Sequence, residues 1–195
     1  MTTNSDLYRV RSLSEYIRDA ESHLGADLFT TPVLLHVMTQ AEYWAKQSVR
    51  TMQIGAPPQP NNEQADRWHN PALLVLTVSP QAGSLTPAEI SIGRSARADV
   101  CLPYPKISKQ HGHFRVDDGV YALIDGNSTN GTYVDGVRIP QGAPYPLPAD
   151  CIVFFGKYET RFMMPAEFRR HLEGLLAPAP TSAASSGSRL TSSPG

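Results

Sequence analysis

The sequence predicts a mainly β protein: an antiparallel β-sandwich preceded by a small α-helical hairpin. Apolar residues recur at helical spacing before residue 46 and at a period of two beyond residue 70. The short apolar runs after residue 70 are separated by turn signals such as Asp117-Asp118-Gly119, Asp125-Gly126-Asn127 and Asp135-Gly136. Between the two regimes lies Gly-Ala-Pro-Pro-Gln-Pro-Asn-Asn-Glu, poor in apolar area and unsuited to helix or sheet. These shifts divide the chain into a helical hairpin region (1–52), a Pro/Asn-rich linker (53–70), the β-sandwich (71–165), and a short helix with a Ser/Pro-rich tail (166–195).

The first helix starts at Ser12-Leu13-Ser14-Glu15, which has the spacing of a capping box. Leu13, Tyr16, Ile17, Ala20 and Leu24 then form one stripe, and Gly25 is placed to end it in a left-handed cap. Thr31-Pro32 repeats the start signal, and Val33, Leu34, Val37, Met38, Ala41, Trp44 and Ala45 make a second stripe. So short a pair hides little of its own surface, so its apolar faces require the other domain, a second copy or a partner. Self-association through the N-terminal helices is therefore an expectation. Beyond the linker, Leu74, Leu76 and Val78 alternate with Leu73, Val75 and Thr77, and Ile90 and Ile92 alternate with Glu89 and Ser91. Further strands are expected at 99–102, 112–116, 120–124, 132–134, 151–155 and 160–164. After Pro165, Phe168, Leu172, Leu175 and Leu176 predict a last helix, followed by a tail without core formers.

Composition narrows the function classes. Seventeen Lys and Arg against eighteen Asp and Glu leave a net charge of −1, no footprint for nucleic acid or an anionic membrane, so any anion recognition is local. No apolar run approaches the roughly 20 residues that cross a bilayer, and the polar start lacks the features of a signal peptide; a cytoplasmic protein is expected. Cys101 and Cys151 sit in apolar strand-like runs and read as reduced buried thiols rather than a disulfide. His111 and His113 share a strand face, but two histidines do not close a zinc site and no further ligand is spaced to help. Ser108 and His111 come with no orienting acid or oxyanion hole for hydrolysis. There is no phosphate-cradling Gly-Lys-Ser or Gly-Lys-Thr loop. The expectation is a non-enzyme without cofactor or metal.

Four blocks carry a more specific signal: Ile92-Gly93-Arg94-Ser95; Asp99-Val100-Cys101-Leu102-Pro103; Ile107-Ser108-Lys109-Gln110-His111-Gly112-His113-Phe114; and Asn127-Ser128-Thr129-Asn130-Gly131-Thr132-Tyr133-Val134-Asp135-Gly136. In order and spacing they resemble the forkhead-associated (FHA) domain family, over residues 71–165. The resemblance implies an eleven-stranded sandwich that binds phosphothreonine-containing proteins, such as a Ser/Thr kinase or its substrate, and performs no chemistry. It implies phosphopeptide contacts from Arg94, Ser108, Lys109, Thr129 and Asn130, a flanking contact from Ser95, and structural roles for Gly93, His111 and Gly131. At Lys109 the family often has arginine or asparagine, so charge is kept but planar geometry is lost.

The residue chemistry agrees with that implication. Phosphothreonine carries a charge of about −1.5 to −2 and three acceptor oxygens, so its pocket needs a cation and several fixed donors. A guanidinium after a glycine, hydroxyls at Ser108 and Thr129, and the Asn130 amide supply them. Thr2, Thr3, Thr181 and Thr191, in segments poor in core formers, are candidates for phosphorylation and capture by the chain's own pocket. The alternative is a phosphorylation-independent scaffold or assembly subunit that works through its N-terminal helices.

Overall fold

The computed structural model describes residues 10–22, 30–39, 68–81 and 88–177. Its strands are β1 (Val10–Ser12), β2 (Val33–Thr39), β3 (Leu73–Thr77), β4 (Glu89–Gly93), β5 (Val100–Cys101), β6 (Gly112–Asp117), β7 (Val120–Asp125), β8 (Thr132–Val134), β9 (Val137–Arg138), β10 (Tyr145–Pro146), β11 (Asp150–Phe155) and β12 (Tyr158–Met163). Among the described residues two helices flank them, α1 (Leu13–Ser22) and α2 (Pro165–Leu176). A seven-stranded sheet runs β1-β3-β2-β12-β11-β8-β9, and a five-stranded sheet runs β10-β7-β6-β4-β5. All pairings between these strands are antiparallel except β4 with β5.

Alternation decides which side chains meet. Ile90 and Ile92 of β4, Phe114 of β6 and Leu123 of β7 join Leu34, Leu74, Val153, Phe155 and Phe162 of the larger sheet in one core. The Asp118-Gly119 and Asp135-Gly136 pairs close the β6–β7 and β8–β9 hairpins with both residues at positive φ, the type I′ geometry that suits the twist of the strands.

The larger sheet is covered on its other face as well. Val33 and Leu35 of β2, Leu73 and Val75 of β3, and Met163 of β12 form a second core with Leu13, Tyr16, Trp68, Phe168 and Leu172. In α1 the Glu15 carboxylate accepts the Ser12 backbone N–H at 2.7 Å and the Ser12 hydroxyl at 2.9 Å, the returning half of the expected capping box. Tyr16 meets Phe168 of α2 edge-on, with ring centroids 5.3 Å apart. Pro165 opens α2 at a position that needs no N–H partner, and Phe168 and Leu172 are buried.

The expected helical hairpin is corrected. Its first arm is α1, but residues 33–39, read as the start of a second helix, form β2 in the middle of the larger sheet, paired with β3 and β12. The reason is burial on both faces: Leu34 joins one core and Val33 and Leu35 the other, so the strand presents a continuous apolar run that also satisfies helical spacing. Leu24, Gly25, Ala41, Trp44 and Ala45, the linker up to residue 67, the tail from residue 178 and the four candidate threonines lie outside the described residues. The apolar stripe of α1 is buried against α2 and the sheet, which meets within the chain the need that motivated self-association.

Leu34 is fully buried between neighbouring strands, so Leu34→Ala should destabilise the whole fold by about 2–5 kcal/mol, read as a shifted midpoint in urea unfolding at unchanged slope. A loss confined to α1, with the β-sheet signal unfolding at its original midpoint, would show that β2 is peripheral.

Candidate functional site

The β4–β5, β5–β6 and β7–β8 loops meet at one end of the sheets. Gly93 ends β4 where a Cβ would come within 2.4 Å of the Lys109 carbonyl oxygen, a clash with backbone that excludes any other residue. That close approach lets the Arg94 N–H donate to Ser108 O at 2.8 Å and the Ser95 N–H to Lys109 O at 3.2 Å. Arg94 is half-buried, and its Nε donates to Ile107 O at 3.1 Å. Its two terminal nitrogens form no hydrogen bond among the described residues. Ser95 accepts the Arg97 N–H on its hydroxyl at 3.2 Å, a turn contact. Lys109 is exposed and engages the other loop only through its backbone.

Ser108 and Thr129, 21 positions apart, are joined directly: the Thr129 N–H donates to Ser108 Oγ at 3.1 Å. The hydroxyls approach to 3.5 Å. Ser108 Oγ thus accepts the Thr129 N–H and gives its own proton to Thr129 Oγ1 across a contact at the long limit of a hydrogen bond, which a stronger acceptor can displace. Asn130 Nδ2 donates to Lys106 O at 2.6 Å, so one amide hydrogen closes the loop junction while its carbonyl oxygen faces other uses. Gly131 sits at φ +77, where an added Cβ would also meet Arg138 Nε at 2.9 Å. The structure thus brings Arg94, Ser108, Lys109, Thr129 and Asn130 onto loops that hydrogen-bond to one another, with Gly93 and Gly131 at points of steric necessity.

Beneath them lies a buried polar network. The Ser108 N–H donates to His111 Nδ1 at 3.3 Å, which fixes the neutral tautomer with hydrogen on Nε2; Nε2 then donates to Thr132 Oγ1 at 3.2 Å. Thr132 Oγ1 donates to Asp125 Oδ2 at 2.6 Å. Asp125 also accepts the Ser128 N–H and the Ser128 hydroxyl, both at 2.7 Å, and Ser128 Oγ accepts the Gly131 N–H at 3.0 Å. Burial pushes the His111 imidazole below its ordinary value, against the pull of the Asp125 carboxylate. Burial alone would raise Asp125, but the hydrogen bonds from Thr132 and Ser128 and the nearby His111 outweigh it and hold the carboxyl below its usual range. The sequence reading placed His111 here as a tie between loops but missed Asp125, Ser128 and Thr132. Asp125 was read only as part of a turn signal. The Asp-x-x-Ser spacing, which lets a carboxylate cap the N–H three residues on, was the available signal.

The other candidate chemistry stays apart. Cys101 and Cys151 are not joined in a disulfide, and burial pushes the Cys151 thiol up to about 12, with Asp135 and Asp150 adding to it. Among the described residues no group of His, Cys, Asp and Glu is arranged to hold a metal ion, and no described helix is long and apolar enough to cross a membrane.

Two sheets and a loop cluster of this kind define a class of domain, and the comparison with known families gives the same one: the FHA domain model matches residues 90–156. The chain belongs to the FHA domain family. It is 35% identical over 100 residues to the oxoglutarate dehydrogenase inhibitor of Corynebacterium glutamicum, which covers 49% of this chain and 68% of that protein. It is 39% identical over 67 residues to the glycogen accumulation regulator GarA of Mycolicibacterium smegmatis, covering 33% of this chain and 42% of that protein. The structure of Mycobacterium tuberculosis EmbR in complex with a low-affinity phosphopeptide aligns at 25% identity with a TM-score of 0.37, over 41% of this chain and 21% of that one.

The buried network sets a pH dependence. Between the ordinary imidazole value of 6.5 and the lowered one, unfolded chains bind a proton on His111 that folded chains do not, so stability is full above that interval and falls as pH drops through it. His171, half-buried beside Arg161 and donating to Trp68 O, adds the same slope from 6.5 down to about 4, and Asp125 adds more below 3.8. Urea midpoints should therefore decline steadily from pH 7 to pH 4, and a flat profile would contradict the network. Thr132→Val strands the His111 Nε2 hydrogen and removes one donor to Asp125, and should cost about 1–3 kcal/mol at pH 7 in the same assay.

Proposed function

We propose that this protein is a phosphothreonine-dependent adaptor in cytoplasmic Ser/Thr kinase signalling, built on a β-sandwich and catalysing no reaction. The phosphate lies among Arg94, Ser108, Lys109 and Thr129, with Asn130 and Ser95 against the neighbouring backbone of the partner. One observation carries the reading: Ser108 Oγ is held by the Thr129 N–H while its own proton makes only a long 3.5 Å contact to Thr129 Oγ1, which a phosphate oxygen can replace, next to an Arg94 side chain anchored at Nε alone. That pairing of a guanidinium with an oriented hydroxyl is what a phosphate dianion requires and a neutral threonine does not. The names of the relatives, an inhibitor and a regulator, suit a protein that acts by binding. The partner is a phosphothreonine-containing protein, a kinase or its substrate.

A hydrogen bond to a charged group contributes about 1.5–3 kcal/mol, so Arg94→Ala and Ser108→Ala should each weaken phosphothreonine peptide binding about tenfold or more in isothermal titration, with unfolding midpoints near that of the parent. Unphosphorylated peptide should not bind measurably. Equal affinity for the phosphorylated and unphosphorylated peptides would replace this reading with the phosphorylation-independent scaffold.

A further inference from the structure

Asn130 is the one asparagine of the sequence that precedes a glycine. In such a pair the glycine nitrogen can attack the asparagine side-chain amide, because no Cβ stands in its way and the glycine backbone turns freely. The new N–C bond closes a cyclic imide, the Nδ2 group leaves as ammonia, and water then opens the ring to aspartate or isoaspartate. One water is taken up and one ammonia released, with no oxidant or other reactant. The nucleophile is the deprotonated amide, so the reaction needs hydroxide at the Gly131 N–H and a swing of that nitrogen towards Asn130 Cγ.

The fold withholds both requirements. Asn130 is exposed, but Gly131 is buried. The Gly131 N–H donates to Ser128 Oγ at 3.0 Å, and its carbonyl accepts the Gly156 N–H at 2.9 Å, so the residue is pinned at both ends. Ser128 Oγ is held in turn by Asp125. A Cβ on Gly131 would meet Arg138 Nε at 2.9 Å, so that side chain covers the glycine from outside. The leaving group is restrained as well: Asn130 Nδ2 donates to Lys106 O at 2.6 Å, an acceptor with no proton to give to departing ammonia. The neighbouring asparagines are poorer substrates. Asn70 precedes a proline, which has no N–H, and Asn127 precedes Ser128, whose N–H is bound by Asp125 at 2.7 Å.

We propose that Asn130-Gly131 is a deamidation site held shut by the Asp125–Ser128 network, and that its conversion to aspartate or isoaspartate switches the loop site off irreversibly. The rate is then set by how often this loop opens locally, which needs less than global unfolding. The product carboxylate has no donor for Lys106 O and places a negative charge next to Thr129 and its partner Ser108. Isoaspartate also lengthens the main chain by one methylene and draws Gly131 away from Ser128. A phosphopeptide that binds only the closed loop slows the conversion, so occupancy protects the site. The chemistry stands without the phosphothreonine reading; its consequence for binding rests on that reading.

The test is to incubate the full chain in mildly alkaline buffer, folded, unfolded in urea, and folded with saturating phosphothreonine peptide. Conversion at each asparagine is followed by peptide mass spectrometry and isoaspartate methyltransferase labelling. Asn130 should convert in the folded chain about tenfold or more slowly than in urea, faster as hydroxide rises, and more slowly still with the peptide bound. Ser128→Ala removes the acceptor of the Gly131 N–H and should speed folded-state conversion about tenfold. Thr132→Val loosens Asp125 without touching Gly131, so it should speed conversion less, and it replaces Ser128→Ala should that variant not fold. Asn130→Gln, whose longer side chain closes a ring poorly, should not convert. The converted parent and Asn130→Asp should bind the phosphopeptide about tenfold or more weakly than fresh parent. Equal conversion in folded and unfolded chains would overturn the gate, and no conversion in folded parent or variants would overturn the site. Parent-like binding by the converted chain or by Asn130→Asp would overturn the switch. If fresh parent binds phosphorylated and unphosphorylated peptides alike, the phosphothreonine reading fails, while the conversion rates still decide the deamidation site by themselves.

Discussion

The loop end of this protein depends on one buried carboxylate. Asp125 is almost completely shielded from water, where an ionised group is costly unless every lone pair finds a donor. The Ser128 N–H, the Ser128 hydroxyl and the Thr132 hydroxyl supply them, and each of those groups belongs to the loop that displays Thr129 and Asn130. The electrostatic demand of one side chain thus specifies the shape of six or so residues. Through Thr132 and His111 the demand passes to the Ser108 N–H on a separate loop. Donors fixed before the ligand arrives lose little freedom on binding it, which is how a few hydrogen bonds on loops become usable affinity.

The rest of the fold holds those loops still. The larger sheet has two cores: Leu34 of β2 and Leu74 and Leu76 of β3 face the smaller sheet, while Val33 and Leu35 of β2 and Leu73 and Val75 of β3 face α1, α2 and Trp68. A sheet covered on both faces resists bending more than one open to water. β11 and β12, between which the Gly156 segment touches Asn130, belong to it. The helices therefore lie on the sheet that carries that junction, while the β4, β6 and β7 starts and ends carry the other half of the site.

Most of the smaller sheet was legible in the sequence because its strands alternate and its turns announce themselves. Ile90 and Ile92 point inward while Glu89 and Ser91 do not, and Asp118-Gly119 closes the hairpin that follows. The four motif blocks also placed Arg94, Ser108, Thr129 and Asn130 on loops that prove to share hydrogen bonds. β2 was not legible: when a strand is buried on both faces its alternation disappears, and Pro32 followed by Val33, Leu34, Val37 and Met38 satisfies the rules for a helix equally well. β1, β9 and β10 are two or three residues long, too short to display any period. Asp125 escaped notice because a carboxylate before glycine suggests a turn, and only the fold shows that it points inward.

The central place of β2 also orders events in time. His36 donates to the carbonyl of Glu159, a residue 123 positions away, and its strand cannot be completed on that side until β12 exists. Contacts so distant along the chain close large loops before they return any energy, which slows folding relative to a protein built from neighbouring hairpins. During synthesis the smaller sheet, whose strands all lie between residues 89 and 146, emerges before β12. An apolar strand made early must wait for a partner made late. In that interval β2 and β3 present greasy surface with an unfilled edge, and the emerging chain is at its most vulnerable to association with other copies of itself.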